Sequence, residues 1–354
     1  MRDEAFFSSL PKVLLHDHLD GGVRPSTLIE IADEIGYTLP CHDPDQLTIW
    51  FFDSATSGSL SRYLECFTHT TACMQRAEDL HRIAYEWVLD LAEDHIIAAE
   101  ARWAPEQHCQ QGLTPDEAIR AVGEGLREGM AEANGRGKPI IARQVICSLR
   151  HQNHSLQAAH WAVNHRPDLV SGFDIAGPEA GYPPTDHLEA FHFLTKHAMP
   201  YTIHGGEEGE LSSLDAAVRI CQARRIGHGV ATAQDISEHD GDIVLGDLAR
   251  YIHNKGIHLE VCPTSNVQTG VCDSIASHPI GRLIDAGFNL SINTDNRLLG
   301  NTTLSKEYAL ISQYFSLSDE TMHSIARNAA DAFFADEKMR NALVATIDSA
   351  WSHI

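Results

Sequence analysis

The chain has 354 residues and is acidic, with 26 Lys and Arg against 49 Asp and Glu and a formal net charge of -23. Such a surface repels a phosphate backbone, because sequence-independent affinity for nucleic acid comes mainly from cationic side chains, so we expect no nucleic-acid partner. No apolar run reaches membrane-spanning length and the N-terminal segment lacks a signal-peptide pattern. We therefore expect no membrane contact and a cytoplasmic location, with the eight scattered cysteines as free thiols.

Short apolar runs rich in β-forming residues alternate with amphipathic stretches of helical length, which is typical of parallel βα units. The chain has no linker or internal repeat, and its length fits one large barrel. We predict a single metal-dependent hydrolase domain over residues 1–354, an α/β fold of the (β/α)8 TIM barrel type. The predicted strands lie near 13–17, 98–103, 140–147, 169–175, 200–204, 224–228, 257–261 and 288–293.

Two further segments have helical patterns that lie outside this alternation. Residues 37–96 have only helical or irregular patterning, which predicts a helical insertion after the first strand. From residue 317 onward the chain again has a helical pattern, which predicts extra C-terminal helices packed on the outside of the barrel. Within the alternating region, Pro25 and Thr114 mark the starts of two predicted helices.

The first polar cluster, His16-Asp17-His18, closes the first predicted strand. Alternate residues of a strand point to the same side, so both imidazoles can face the barrel axis and bind one metal ion. An isolated pair of this kind is equally typical of packed or surface histidines. The turn that begins at Asp20 favours a site.

Two more clusters follow the fifth and sixth predicted strands. In the sequence HGGE, His204 is a candidate third metal ligand, and the two glycines let the chain turn so that Glu207 can return to the same centre. Taken alone, this segment is also typical of a turn before a solvated acidic run. In RIGHG, His228 stands between two glycines, a spacing that favours close approach of backbone or ligand.

The fourth cluster, Asp295 and Asn296, follows the last predicted strand. Asp295 could cap the following helix or complete a metal site with the three histidines. Because the carboxyl ends of barrel strands converge on one face, all four clusters can share one site. Other histidines, such as His81, His151 and His278, lie in polar stretches and are expected at the surface.

Zinc suits a nitrogen-rich ligand set and lowers the pKa of bound water towards ~7, which supplies hydroxide at neutral pH. A site with two metal ions would usually need a bridging group such as a modified lysine on a middle strand. The fourth predicted strand, LVSGFDIAG, contains no lysine. We therefore expect one zinc ion per chain.

At these residues the chain resembles the adenosine deaminase family of metal-dependent hydrolases, over residues 10 to about 303. The stretches that carry the resemblance are LPKVLLHDHLDGG, ARWAPEQH, GFDIAGPEAG, HGGE, RIGHGV, EVCPTSN and NTDN. The resemblance implies zinc-dependent deamination of adenosine, and of 2′-deoxyadenosine, to inosine and ammonia in purine salvage. It implies that zinc is held by His16, His18, His204 and Asp295.

The resemblance also implies roles for the remaining site residues. Glu207 matches the proton donor to purine N1, and His228 matches the histidine that orients the attacking hydroxide. His18 and Asp20 match contacts to the ribose end of the substrate, and Gly177 matches a backbone contact to the purine ring. These roles make a purine nucleoside the expected small-molecule partner.

One position departs from the family pattern, because Asn296 stands where the family usually has a second aspartate. A carboxyl there must be protonated to donate to purine N7, whereas an amide donates at any ordinary pH. The family resemblance therefore constrains the preference for a particular purine base less at this position.

Two kinds of alternative stay open from the sequence, as does the oligomeric state. Relatives with similar motifs deaminate adenine, 6-amino-6-deoxyfutalosine or adenine nucleotides, and Arg24 and Arg297 lie close enough in sequence to bind a phosphate. A non-catalytic purine-binding barrel is the other alternative. Cytidine-type deaminases are excluded, because the chain has no Pro-Cys-x-x-Cys segment.

Overall fold

The computed structural model describes residues 2–208 and 211–354 and contains ten strands in that part of the chain. Eight of them are parallel and coincide, within a few residues, with the eight predicted strands, so this prediction is confirmed. The strands are β1 (Lys12–His18), β2 (Ile96–Trp103), β3 (Ile141–Leu149), β4 (Val170–Ala176), β5 (Thr202–Gly205), β6 (Arg225–His228), β7 (Ile236–His239), β8 (Asp242–Leu245), β9 (His258–Val261) and β10 (Leu290–Ile292).

The eight parallel strands form two sheets of four, ordered β1-β2-β3-β4 and β5-β6-β9-β10, and the two sheets meet at two seams. At one seam Phe173 pairs with Tyr201, and at the other Asp17 pairs with Asp295. At the second seam the backbone N–H of His18 donates to the Asp295 carbonyl at 2.7 Å. The strands therefore close into a barrel, and the first and last strands meet at the residues that carry the predicted metal ligands.

A network of buried charges crosses the inside of the barrel, and the sequence did not predict it. Arg102 donates to Asp174 and to Glu260, both at 2.8 Å, and these residues lie on strands that are not neighbours. Arg225 donates to Glu260 and to Glu100, both at 2.7 Å. Because removing one partner of a buried pair typically costs ~3–5 kcal/mol, each charge depends on the others.

Helices surround the barrel, and both predicted additions are confirmed. Between β1 and β2 the chain forms five helices, including the predicted insertion, and after β10 it forms four more. The helices are α1 (Glu4–Ser8), α2 (Pro25–Ile35), α3 (Pro44–Ala55), α4 (Leu60–Glu65), α5 (Phe67–Ala72), α6 (Ala77–Glu93), α7 (Pro115–Gly135), α8 (Ser155–Asn164), α9 (Leu188–Lys196), α10 (Leu211–Asp215), α11 (Asp247–Lys255), α12 (Pro263–Gln268), α13 (Ile280–Asp285), α14 (Arg297–Gly300), α15 (Leu304–Tyr314), α16 (Asp319–Ala332) and α17 (Glu337–Trp351).

Strands β7 and β8 form an antiparallel hairpin that the sequence analysis missed. The β7 segment ISEH is mostly polar, and the apolar run of β8 is only three residues long and largely exposed. The turn is Asp240-Gly241, and both residues have positive φ, at 53° and 86°. An Asp-Gly pair between two short strands is a strong hairpin signal, and it could have revealed this element.

The structure also bears on the expected absence of membrane-spanning helices and on the state of the cysteines. Among the described residues, no helix is long and apolar enough to cross a membrane. All eight cysteines are described as free thiols, and five of them are buried.

Candidate active site

A cavity of about 570 Å³ opens at the carboxyl ends of the barrel strands. The strand ends form its floor, and helices α4 and α5 of the insertion contribute Tyr63 and Phe67 to its wall. This volume lies within the range of small-molecule sites. The same cavity brings together residues from all four predicted clusters. The predicted site residues that line the cavity are His18, Asp20, Gly177, His204, Glu207, His228, Asp295 and Asn296.

A buried group of histidines and one carboxylate lies at the floor of this cavity. Its members His16, His204, His228 and Asp295 each place one ligand atom within 4.8 Å of the others. His18 adjoins them, with its Nε2 atom 3.3 Å from Asp295 Oδ1. Geometry alone therefore offers four histidines to one centre, whereas the sequence resemblance selects three of them.

Two buried carboxylates, which the sequence analysis did not single out, lie behind two of these histidines. Glu260 Oε2 is 3.1 Å from His16 Nδ1, and Asp174 Oδ2 is 2.8 Å from His204 Nδ1. Burial opposes the charge of Glu260, but Arg225 and Arg102 hold its pKa well below the usual range. A carboxylate on Nδ1 leaves Nε2 free to bind a metal, as is common behind metal-binding histidines.

The orientation of Asp295 depends on an unusual backbone conformation. Its φ is 58°, in the left-handed region that few residues other than glycine adopt, and Ser265 Oγ donates to Asp295 Oδ2 at 2.6 Å. The N-cap position of α14 belongs to Asn296 rather than to Asp295. The aspartate therefore faces the histidines instead of capping the next helix.

Glu207 is buried on the turn that follows β5, with 5% of its surface exposed. The backbone N–H groups of Gly206 and Glu207 donate to the carboxylate of Glu179, at 2.7 and 2.9 Å, which holds the turn in place. Burial, followed by the charge of Asp295, raises the pKa of Glu207 well above its usual range. A raised pKa favours the protonated form of the carboxyl group, which can act as an acid.

Glycine is favoured on both sides of His228, but for a different reason at each position. A Cβ at Gly227 would lie 3.0 Å from His16 Cε1, so a larger residue would crowd the histidines. Gly229 has a φ of 69°, where other residues are strained. His228 itself is also left-handed, with a φ of 61°, and its Nε2 atom lies 3.6 Å from Glu207 Oε2.

Asp20 and Gly177 also line the cavity. Asp20 Oδ1 is buried and has no hydrogen-bond partner among the described residues, and burial raises the pKa of Asp20 to about 7. Its other oxygen lies 3.9 Å from His108 Nε2. Gly177 has a φ of 99°, which requires glycine at this point of the wall.

Asn296 is already engaged within the chain. Its Nδ2 atom donates to the Tyr63 hydroxyl at 2.7 Å, while its Oδ1 atom is buried and finds no partner in the part of the chain that the structure describes. One of the two amide hydrogens is used in this way. The sequence analysis did not identify Tyr63, since it lies in the insertion and far from the strand-end motifs.

The expectation that His278 lies at the surface is wrong, since only 3% of its surface is exposed. The polar stretch around it misled the interpretation, because the ring turns inward and its Nε2 atom lies 3.2 Å from Asn266 Oδ1. Asn266 in turn contacts His228. His151, in contrast, is exposed at the rim of the cavity.

A closed parallel barrel with a buried histidine and carboxylate group and a buried acid at its strand ends defines a barrel hydrolase. The sequence model of the family described as "Adenosine deaminase" matches residues 11–350. The chain is 47% identical over 336 residues to adenosine deaminase 1 of Streptomyces coelicolor, covering 94% of this chain and 85% of that protein. It is 45% identical over 340 residues to the adenosine deaminase of Mycobacterium avium, covering 94% and 93%.

A solved structure of arabidopsis ADAL complexed with IMP has a TM-score of 0.83 at 25% identity, covering 98% of this chain and 99% of that one. Together with the family match and the curated relatives, it leaves no doubt about membership. This chain belongs to the adenosine deaminase family.

Proposed function

We propose that this protein hydrolyses adenosine, and 2′-deoxyadenosine, to inosine and ammonia, as a step of purine salvage. The observation that carries the proposal is the buried carboxyl group of Glu207 beside a group of histidines and one carboxylate in a cavity large enough for a nucleoside. The curated relatives are named for this activity at 45% to 47% identity.

The residues present fit a zinc ion. His16 Nε2 is buried without a hydrogen-bond partner among the described residues and lies 3.2 Å from Asp295 Oδ1, an arrangement that favours a cation between them. The donor set is rich in imidazole nitrogen, which suits zinc. When bound, zinc lowers the pKa of water and so supplies hydroxide near neutral pH. The proposed ligands of the single ion are His16, His18, His204 and Asp295.

The protein's own groups then act on the purine ring. As hydroxide adds to C6, Glu207 gives its proton to N1, which neutralises the charge that develops on the ring and contributes typically ~10²–10⁴-fold. His228 holds the attacking oxygen by a hydrogen bond. The proton of the C6 hydroxyl group then passes to the amino group, which leaves as ammonia as the C–N bond breaks, and the C6 oxygen becomes the carbonyl of inosine.

Other side chains position the substrate in this proposal. His18 and Asp20 contact the ribose, and the unpaired Oδ1 of Asp20 offers an acceptor for a hydroxyl group. Gly177 contacts the purine through its backbone, and Asn296 donates its remaining amide hydrogen to N7. Burial of the whole group keeps bulk water from competing for these contacts.

The charges around the cavity favour a nucleoside over a nucleotide. Within residues 2–208 and 211–354, no Lys or Arg side chain lines the cavity. Arg24 donates to Asp90 at 2.6 Å and Arg297 donates to Asp17 at 3.1 Å, and both arginines line a separate depression. A phosphate in the cavity would meet the carboxyl groups of Asp20 and Glu207 without a Lys or Arg side chain to bind it.

Steady-state rates on four substrates test this proposal. We expect kcat/KM to be highest for adenosine and at least ~10²-fold lower for AMP, adenine and 6-amino-6-deoxyfutalosine, since one lost or clashing polar contact in a built site changes selectivity by several orders of magnitude. A higher kcat/KM for any of the other three would reassign the substrate. Purine binding without turnover of any of them would identify a non-catalytic barrel.

A further inference from the structure

A chain of hydrogen bonds enters the site from a backbone amide that lies outside it. The N–H of Ile280, at the start of α13, donates to His278 Nδ1 at 3.0 Å. A backbone amide can only donate, so His278 Nδ1 is an acceptor and carries no proton. Burial lowers the pKa of His278 to about 3, so the ring is neutral and its proton lies on Nε2.

The next link is Asn266, whose side chain is fully buried. His278 Nε2 lies 3.2 Å from Asn266 Oδ1, and the N–H of the ring needs an acceptor at that place. An amide oxygen accepts, whereas an amide NH2 can only donate. The orientation of the Asn266 amide is therefore fixed, with its oxygen towards His278 and its NH2 group towards His228.

The last link reaches the site. Asn266 Nδ2 donates to His228 Nδ1 at 3.0 Å, so this nitrogen also carries no proton. The proton of the neutral His228 ring then lies on Nε2, the atom that faces Glu207 across 3.6 Å. A protonated nitrogen has no lone pair for a metal ion, but it can donate a hydrogen bond.

We propose that Asn266 and His278 are positioning residues that fix His228 as the tautomer protonated on Nε2. The inference rests on the proposed function, in which His228 donates to the attacking oxygen. It explains how one cluster holds two kinds of histidine. Nδ1 of His16 and of His204 faces a carboxylate, which leaves Nε2 free as a metal ligand, whereas Nδ1 of His228 faces an amide NH2, which makes Nε2 a donor.

The direct test is the tautomer itself, read from long-range ¹H–¹⁵N correlations of the imidazole in zinc-loaded protein with ¹⁵N-labelled histidine. The resonances of His228 are assigned by their loss in His228→Gln. In the parent protein we expect the proton on Nε2. In Asn266→Asp we expect it on Nδ1, because a carboxylate of the same shape can only accept from that nitrogen.

The kinetic test uses the same variant. We expect Asn266→Asp to retain one zinc ion and to lower kcat by about 10²-fold, with a smaller change in KM, because the donor to the attacking oxygen is lost. Asn289→Asp is the matched control. Asn289 Oδ1 lies 2.9 Å from Nδ1 of the buried His258, at the other end of the barrel. It should change neither kcat nor the tautomer of His228.

A second pair of variants tests the relay one residue further out, in case Asn266→Asp fails to fold. In His278→Gln the side-chain oxygen can accept from Ile280 and the NH2 group can donate to Asn266, so the polarity is retained and kcat should stay within about twofold. In His278→Glu the carboxylate has no hydrogen to donate to Asn266 Oδ1. The Asn266 amide group should therefore rotate by about 180°, and kcat should fall towards that of Asn266→Asp.

Each result bears on a separate part of the argument. A proton on Nδ1 of His228 in the parent protein would overturn the inference, as would unchanged kcat in an Asn266→Asp protein whose tautomer has changed. Full activity of His228→Gln would instead overturn the role that the proposed function gives to His228. The parent spectrum would still report the tautomer in that case, so the two failures are distinguishable.

Discussion

Burial, followed by the charge of Asp295, raises the pKa of the Glu207 carboxyl group, and this makes its chemistry testable by pH. Only the protonated form can donate to N1. Its pKa is raised, so the donor is present below that pKa and is lost as pH rises through it. We expect Glu207→Gln to lower kcat by at least ~10²-fold with zinc retained, and to remove the alkaline decline that Glu207 causes in the parent.

The control for this variant is the same substitution one residue further along. Glu208 is exposed, and its carboxylate accepts from the N–H groups of Glu179 and Ala180 at 2.8 and 2.7 Å. An amide oxygen can accept both bonds, so Glu208→Gln should keep kcat near that of the parent. Parent-like turnover of Glu207→Gln with zinc bound would remove Glu207 from the mechanism.

Asn296 has one amide hydrogen on Tyr63 and one left for a ligand, so the proposed contact to purine N7 can be isolated. A 7-deaza ligand has carbon in place of N7 and leaves this donor unpaired, which costs roughly 1–3 kcal/mol. We expect Asn296→Ala to weaken the binding of a purine riboside inhibitor. The difference in affinity between this inhibitor and its 7-deaza counterpart should become smaller. Binding constants for the two proteins and the two ligands give the coupling free energy between the Asn296 side chain and N7.

Tyr63→Phe serves as the reference in this cycle, because it removes the other partner of the same amide. It should leave the preference for N7 in place. If Asn296→Ala weakens both ligands equally, the asparagine only supports Tyr63 and does not contact the base.

Helices α12 and α15 are joined by a buried carboxyl group. Glu307 on α15 accepts from the Thr302 hydroxyl at 2.7 Å and from the N–H of Thr264 on α12 at 3.2 Å. Burial raises the pKa of Glu307 to about 7, whereas an unfolded chain gives about 4.3. Because the folded pKa is the higher one, the stability that this group contributes at low pH is lost as pH rises from about 4 to about 7.

Glu307→Gln should remove this part of the pH dependence. We expect the free energy of unfolding to change less between pH 5 and pH 8 in the variant than in the parent, by an amount on the order of 3 kcal/mol. Urea unfolding of the zinc-loaded proteins at both pH values measures it. Parallel losses of stability in the two proteins would show that Glu307 titrates normally.

Elements with a strong apolar pattern were predictable, and those without one were not. The barrel strands are short apolar runs that are buried along their whole length, as in Val170–Ala176, and such runs predict strands well. The hairpin Ile236–Leu245 has only a three-residue apolar run, Ile243–Leu245, and that run is largely exposed. His278 was misplaced for a related reason, since its neighbours are polar although its ring is buried.

The part of the site that the sequence predicted consists of residues at strand ends, such as His16, His204 and Asp295. The part that it missed lies behind them and includes Asp174, Glu260 and Asn266. Barrel topology explains the first group, because strand ends converge. The second group depends on which buried side chains face one another across the barrel, and that follows only from the closed structure.

For the whole molecule, a single zinc ion would join strands from the beginning, middle and end of the chain. The proposed ligands lie on β1, on β5 and directly after β10. A metal that binds only the folded form adds to its stability by mass action. We expect about one equivalent of zinc per chain by elemental analysis, and a lower melting temperature and lost activity after prolonged chelation.

Re-addition of one equivalent of zinc should restore both the melting temperature and the activity. Two equivalents per chain, or activity that survives chelation, would contradict the single-ion site. The assignment of residues 1–354 to one domain stays a prediction, and a single cooperative melting transition for the loaded protein would support it.

The seam between β1 and β10 also determines when the site can exist during folding. Asp295 pairs with Asp17 although most of the chain separates them, and the backbone N–H groups of Leu15 and His16 donate to Asn293 Oδ1 at 3.0 and 3.1 Å. Contacts between such distant segments are slow to form, because the ordering of a long loop precedes the gain from the contact. On the ribosome, β10 emerges late, so a nascent chain carries His16 and His204 long before it carries Asp295. The proposed set of metal ligands would therefore be complete only in the finished barrel, and tight binding of the ion would mark the end of folding.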